Sequence, residues 1–207
     1  PVWFANRIWL HATDTLYYSA FEELVRGIEE ESYPSVNQRF MGREITCKRV
    51  AGEYLLIYAA DVIWRIYGDS LATFRLDTLA HGKGCLNRAA CISFEDYVAW
   101  LDSSSTVWLT DGSKNGLKEI SFPIRSDIAS INHANAAIAY HYTGAARWIV
   151  LMDGTGGKLY VFDLDTQQWM PPWPIEAITA LYSGHTALST YQLFLARNKV
   201  PLVQDAN

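Results

Sequence analysis

The sequence has no long apolar run, no excess of basic residues and no dense basic cluster. None of its hydrophobic runs approaches the roughly 18 to 20 residues that a membrane-spanning helix requires. Its 17 Lys and Arg residues are outnumbered by 22 Asp and Glu residues, which gives a formal net charge of -5. Proteins that bind phosphate backbones usually present a basic face, and here the strongest basic cluster is the pair Lys48-Arg49. The chain is therefore predicted to have no membrane span and no nucleic-acid specificity.

Cysteine is scarce, and its spacing carries no local metal-binding signature. The three cysteines, Cys47, Cys85 and Cys91, form no C-x-x-C pair and have no histidine nearby at ligand spacing, so no zinc site is predicted. Buried, reduced thiols that act as small apolar residues are the expectation. A Cys85–Cys91 disulfide stays open, because that spacing is not diagnostic. The sequence thus predicts no metal and no cofactor.

Catalytic motifs are also missing. The histidines are widely spread, without an i,i+2 or i,i+4 pair: His11, His81, His133, His141 and His185. The serines at 103–105 lack the Gly-x-Ser-x-Gly elbow of a nucleophile. Residues 153–157 resemble a calcium or phosphate loop but lack its further carboxylates and a following Lys-Ser or Lys-Thr, so a hairpin turn explains them. No catalytic residue is predicted, and the chain is not expected to be an enzyme.

What the sequence does contain is a repeated aromatic hairpin pattern. Hydrophobic residues make up 50% of the 207 residues, with 8 Trp and 12 Tyr, a composition suited to half-buried pleated surfaces. An apolar strand, a short polar turn and an aromatic strand recur five times, at 8–19, 54–69, 97–112, 147–163 and 192–203. The second strands align on Tyr17, Trp64, Trp108, Tyr160 and Leu202, with spacings of 47, 44, 52 and 42 residues.

A period in the forties is typical of β-propeller blades. One hairpin cannot bury its apolar face alone, so neighbouring units must stack. Further strands are predicted at 44–50, 73–76, 89–93, 117–122 and 136–142. The prediction is an all-β, propeller-like array of about four to five four-stranded antiparallel blades, forming a single domain over 1–207. Because the chain opens at Pro1 without Met, it is expected to be an excerpt of a longer chain or a processed product.

Two segments depart from the pattern. An insertion is predicted at about 20–42, as a short helix or acidic loop. Its apolar residues Phe21, Leu24, Val25 and Ile28 have helical spacing, and Ser19 with Glu22 fits a capping box. Pro201 falls inside the last strand-like run, which indicates an edge strand or a misplaced final unit.

Several short sequence motifs within the repeats resemble those of a known protein family. They are Asn6-Arg7-Ile8-Trp9, Thr15-Leu16-Tyr17-Tyr18-Ser19, Leu55-Leu56-Ile57-Tyr58, Ile63-Trp64-Arg65-Ile66-Tyr67-Gly68-Asp69 and Val107-Trp108-Leu109-Thr110-Asp111-Gly112. Over roughly residues 2–165 the chain resembles the propeller regions of podovirus-type bacteriophage tail hub, nozzle and stabilisation proteins. The resemblance implies a structural virion component, assembled in the host cytoplasm and located in the tail. It implies protein–protein contacts with other tail subunits and a homo-oligomer, and it offers no catalytic residue to carry over.

Two alternatives stay open beside a tail protein. One is a carbohydrate-binding or carbohydrate-active propeller that recognises a host surface polysaccharide. Trp169 and Trp173 could then form a sugar-stacking platform with Pro171 and Pro172, and Asp163 and Asp165 could form a carboxylate pair. The two tryptophans and the two aspartates are the candidate binding surface. The plainer explanations are that the tryptophans pack between blades and that the aspartates lie at the end of a strand. The other alternative is an intracellular or periplasmic protein-docking propeller.

Overall fold

The computed structural model describes residues 1–19, 37–70, 72–155, 157–175, 178–185, 191–197 and 200–203. Within these ranges the chain consists mainly of antiparallel β-strands, which form five successive units. The helical elements described are 3-10 turns at Arg88–Ala90 and Phe122–Ile124 and a four-residue helix, α1, at Arg125–Ile128. No described helix has the length and apolar character needed to cross a membrane.

The first three units are four-stranded antiparallel sheets in which each strand pairs with the next along the chain. Blade 1 contains β1 (Val2–Phe4), β2 (Arg7–Ala12), β3 (Thr15–Tyr18) and β4 (Gln38–Phe40). Blade 2 contains β5 (Cys47–Ala51), β6 (Tyr54–Tyr58), β7 (Val62–Tyr67) and β8 (Arg75–His81). Blade 3 contains β9 (Cys91–Phe94), β10 (Tyr97–Leu101), β11 (Val107–Thr110) and β12 (Lys118–Glu119).

The last two units share one extended sheet. Blade 4 contains β13 (Ala137–Tyr142), β14 (Arg147–Met152), β15 (Lys158–Asp163), β16 (Gln168–Trp169) and β17 (Trp173–Pro174), the last two both pairing with β15. Unit 5 contains β18 (Ile178–His185), β19 (Tyr191–Arg197) and β20 (Val200–Val203). One residue pair, Tyr142 with Tyr191, joins β13 to β19.

The arrangement is a β-propeller-like array. The first strands of successive units lie side by side, β1 against β5, β5 against β9, β9 against β13, and β13 against β18. Large apolar cores lie between the blades, and the fully buried side chains include Trp9, Tyr58, Trp100 and Tyr140. The repeat prediction is confirmed, because the five aligned residues all lie in the third strand of their unit.

Some boundaries differ from the prediction. The strand expected at 117–122 shortens to Lys118–Glu119, because the chain turns into the 3-10 turn at Phe122–Ile124 that contains Pro123. The strand β18 was not predicted. Most of the predicted insertion, 20–36, lies outside the described residues, including the whole apolar set used to predict a helix. The last residues of the predicted insertion are described, and among them β4 pairs with β3 as the fourth strand of blade 1. Pro201 lies in β20, which pairs with β19.

Candidate functional site

The two candidate tryptophans lie in different inter-blade cores. Trp169 is half-buried, donates its indole N–H to the carbonyl of Ile120 at 2.7 Å, and packs against Phe162 with 5.2 Å between ring centroids. Trp173 meets Trp148 edge to face at 5.9 Å in the next core. The structure does not bring the two rings together into one platform.

The two candidate carboxylates are engaged in different local interactions. Asp163 accepts hydrogen bonds from the backbone N–H groups of Asp165 and Thr166, at 2.8 and 3.2 Å, and so organises the turn after β15. Asp165 accepts two hydrogen bonds from the Arg147 guanidinium, at 2.7 and 2.8 Å. Both carboxylates therefore have structural partners, and whether they also bind a ligand stays a prediction.

A cleft of about 460 Å³ separates the outer parts of blades 1 and 2, and we call it the arginine groove. Its lining residues are Trp9, Tyr18, Gln38, Arg39, Ile66, Phe74, Arg75 and Leu76. Arg39 and Arg75 are exposed, whereas the aromatic floor is half-buried or buried. Beside it, Phe40 on β4 is 71% exposed. The groove thus offers an aromatic floor between two cations.

A second cleft, of about 530 Å³, opens between the turn after β1 and the ends of β6 and β7, and we call it the tyrosine cleft. It is lined by Phe4, Ala5, Glu53, Tyr54, Tyr67, Gly68 and Asp69. The Arg65 guanidinium lies over both tyrosine rings, at 5.2 and 5.3 Å from their centroids. Two exposed carboxylates and two half-buried tyrosines therefore share one cleft.

The three cysteines come together between blades 2 and 3, in what we call the thiol cluster. Cys47, Cys85 and Cys91 are free thiols, each at most 1% exposed, and their Sγ atoms all lie within 4.8 Å of one another. Cys47 begins β5 and Cys91 begins β9, while Cys85 lies in the loop that connects the blades. The expected burial is observed, but the convergence was not predicted.

Hydrogen bonds to the backbone hold Cys85 and Cys91 of the thiol cluster in place. The N–H of Cys85 donates to the carbonyl of Ala59 at 2.9 Å, and the Thr46 hydroxyl donates to the carbonyl of Cys85 at 2.6 Å. Gly84 passes so close to this turn that an added Cβ would stand 2.0 Å from the Ala59 oxygen. The Arg49 side chain donates from Nε to the carbonyl of Cys91 at 2.9 Å. The cluster is therefore assembled by the fold itself.

The electrostatics of the cluster favour one thiolate among three sulfurs. Hydrogen bonds from the other two thiols, together with the Arg49 charge, lower the pKa of Cys47 well below its usual value, although burial opposes this. The pKa of Cys85 is raised chiefly by its hydrogen bond to Cys47, and that of Cys91 chiefly by burial. The nearby Tyr58 hydroxyl is fully buried and, among the described residues, has no hydrogen-bond partner.

The repeat itself contained the signal for this cluster. Cys47 and Cys91 are 44 residues apart, the same spacing as Trp64 and Trp108 in the aligned third strands. They therefore occupy equivalent positions at the start of neighbouring first strands, opposite Tyr58 and Trp100 respectively. A search for short-range ligand pairs misses this, because the repeat period supplies the proximity.

Comparisons with known proteins give similarity of fold alone. No protein-family model matches the chain, and no curated protein matches it. The crystal structure of the N-terminal domain of Nup159 is similar with a TM-score of 0.53 and 11% identity, over 93% of this chain and 50% of that one. An S. cerevisiae structure of Dbp5 bound to Nup159, Gle1, IP6 and ADP gives the same values. The WD40 β-propeller domain of Doa1 has a TM-score of 0.49 and 10% identity, over 90% of this chain and 58% of that one. The chain thus spans about half the length of the chain it matches in each of the first two structures.

Proposed function

We propose that this chain is a non-enzymatic assembly module that docks protein partners, and that the arginine groove is its docking surface. The observation that carries the proposal is the exposed pair Arg39 and Arg75 above an aromatic floor. Aromatic and arginine side chains are enriched at protein interfaces and among the residues that dominate their energy. Two guanidinium groups select a partner segment that carries carboxylates.

A second copy of the chain fits that description. The chain carries five more acidic than basic charges, so the two arginines form a local exception that another copy can complement. The resemblance of the repeats to phage tail hub, nozzle and stabilisation proteins supports the finer proposal. According to this finer proposal, the chain is a structural component of a short phage tail and forms a homo-oligomer that contacts other tail subunits.

Charge reversal in the groove tests the docking proposal. In mass photometry of the intact protein, we expect a ring-sized homo-oligomer for the wild type and monomers for the double variant Arg39→Glu/Arg75→Glu. The matched control Lys114→Glu/Lys158→Glu makes the same charge change at two exposed lysines outside the groove and should leave the oligomer intact. A monomeric wild type, or an oligomer that tolerates the groove reversal, would contradict the proposal.

The tail assignment needs a separate experiment. Tandem mass spectrometry of virions purified from the source sample should detect peptides of this chain, at a copy number that matches a symmetric tail ring. Virions free of these peptides, in a sample that expresses the chain, would remove the tail assignment and leave the docking proposal standing.

The tyrosine cleft favours a second candidate function, glycan binding without hydrolysis. Tyr54 and Tyr67 offer ring faces for a sugar, and Glu53 and Asp69 offer acceptors for its hydroxyl groups. On a glycan array we expect Tyr54→Ala and Glu53→Gln to lose a signal that the wild type shows. Tyr97→Ala, which changes the tyrosine at the equivalent first position of β10 in the next blade, should retain it. A wild type that binds no glycan excludes this candidate.

A further inference from the structure

We propose that the thiol cluster is a structural zinc site in which Cys47, Cys85 and Cys91 supply three thiolates and Tyr58 supplies the fourth donor. The three sulfur atoms lie within 4.8 Å of one another. Zinc–sulfur bonds are about 2.3 Å long, so tetrahedral ligands stand about 3.8 Å apart. The observed upper limit of 4.8 Å exceeds this spacing by about 1 Å, a distance on the scale of a side-chain rotation.

Cysteine burial alone does not account for this arrangement. A buried thiol that serves as a small apolar residue has no need of another, yet all three cysteines of the chain meet at one point from two first strands and a loop. Two of the three arms are fixed by side-chain bonds from Thr46 and Arg49 to the ligand backbone. Such outer contacts are what orients ligands in metal sites.

Charge balance selects zinc among thiophilic ions. Thiolates favour zinc, Cu(I) and iron–sulfur clusters, and the last take four cysteines, one more than the chain contains. Three thiolates leave a net charge of −1 around Zn²⁺ and −2 around Cu(I). The Arg49 guanidinium, bonded to the Cys91 carbonyl, is enough to neutralise the first, whereas the second would also need the charge of the buried Lys48. A buried site strongly favours the neutral combination.

The environment of Tyr58 favours its hydroxyl group as the fourth zinc ligand. Its side chain is fully buried, stands opposite Cys47 in the β5–β6 register, and has a hydroxyl group without a hydrogen-bond partner among the described residues. Buried hydroxyl groups usually have a partner, and the bound ion supplies one. Binding releases one proton from each sulfur that is still protonated as its Zn–S bond forms, and the neutral phenol oxygen donates a lone pair.

The wild-type protein provides the first test, because the buried site must load during folding. The untagged full chain is refolded from urea under reducing conditions, with Zn²⁺ or with a chelator, and then passed through gel filtration. We expect one zinc ion per chain, by elemental analysis, in the folded protein that was refolded with Zn²⁺. Folded protein without zinc, or a disulfide between two of the cysteines, would overturn the proposal.

Cobalt substitution and matched variants identify the ligands. Co²⁺ in place of zinc should give thiolate-to-metal charge-transfer absorption, and a spectrum of nitrogen and oxygen ligands alone would contradict the site. Cys47→Ala and Cys91→Ala should lose the ion. Val98→Ala makes a similar cavity in the same core and should keep it, which separates lost ligands from lost packing. Tyr58→Phe should weaken zinc affinity, and an unchanged affinity would remove Tyr58 from the site.

Discussion

At the scale of single residues, one buried carboxylate organises the hairpin between β10 and β11. Asp102 is 1% exposed. One oxygen accepts the N–H groups of Ser104 and Thr106, at 2.8 and 2.9 Å, and the other accepts the indole N–H of Trp108 at 2.7 Å. The side chain therefore replaces the solvent for donors that the hairpin would otherwise leave unsatisfied.

Removal of this carboxylate should destabilise the protein. We expect Asp102→Ala to lower the free energy of unfolding by about 2–4 kcal/mol, because each unpaired buried donor costs about 1–3 kcal/mol. Asp153 occupies the same position in the hairpin of blade 4, and the hydrogen bonds that its side chain accepts from Thr155 lie at an exposed turn, so Asp153→Ala should cost about 1 kcal/mol. Urea titrations monitored by tryptophan fluorescence measure both, and equal costs would contradict the assigned role.

A second residue, His11, should make stability depend on pH. Its pKa is lowered to about 4, first by burial and then by the charge of Lys48, with smaller contributions from the N-terminus and Arg88, while Cys47 opposes the shift. The unfolded chain, with an ordinary histidine pKa near 6.5, binds the proton more readily between those values. The contribution of neutral His11 to the free energy of unfolding is therefore expected to be fully present above pH about 6.5 and to be lost as the pH drops toward 4.

The measurement compares the free energy of unfolding at pH 7 and pH 5. We expect His11→Gln to lose less stability on acidification than the wild type. The exposed His81 supplies the control, and His81→Gln should behave as the wild type. Some acid sensitivity should persist, because burial also lowers the pKa of His141. Identical pH profiles for His11→Gln and the wild type would refute the assignment.

At the scale of elements, indole N–H groups fasten neighbouring structures together. Trp169 on β16 of blade 4 bonds to the Ile120 carbonyl at the end of blade 3, and Trp100 bonds to the Lys83 carbonyl in the loop before blade 3. Each bond joins segments that share no sheet ladder. These two indole groups thus join segments that strand pairing leaves unconnected.

We expect Trp169→Ala to destabilise the protein by about 3 kcal/mol, since it empties part of the core between blades 3 and 4. Trp169→Phe keeps a ring and loses the bond to Ile120, which should cost about 1 kcal/mol. The 46% exposed Trp3 is a control whose change to alanine should cost much less than Trp169→Ala. If Trp169 instead stacks on a sugar, Trp169→Ala would abolish glycan binding at unchanged stability.

The sequence predicted the strands and hairpins better than the contacts between side chains of different blades. Hairpins followed from alternation and turn chemistry, which are local, and the aligned positions Trp64 and Trp108 both lie in third strands. The strand β18 was missed because it contains Ser183 and Gly184, which weaken the local pattern. The thiol cluster and the separation of Trp169 from Trp173 depend on which blade faces which core, and local patterns contain that information only through the repeat period.

At the scale of the whole molecule, burial falls from the inner strands to the outer ones rather than from blade to blade. All of β6 except Tyr54 is buried, and most of β10, β14 and β15 is buried as well. By contrast, β4 is fully exposed and β8 contains no buried residue. Because each core is shared by two or three successive units, no blade can lose its packing without exposing its neighbour.

Hydrogen exchange monitored by mass spectrometry should reveal this radial order. We expect amides of β6, β10 and β14 to exchange last and together, near the free energy of global unfolding, while those of β4 and β8 exchange early through local opening. The second strands are paired on both sides and flanked by buried cores, so their opening requires several blades to separate at once. A blade whose inner and outer strands exchange together, ahead of its neighbours, would show that the blades unfold independently and that the inter-blade cores contribute little.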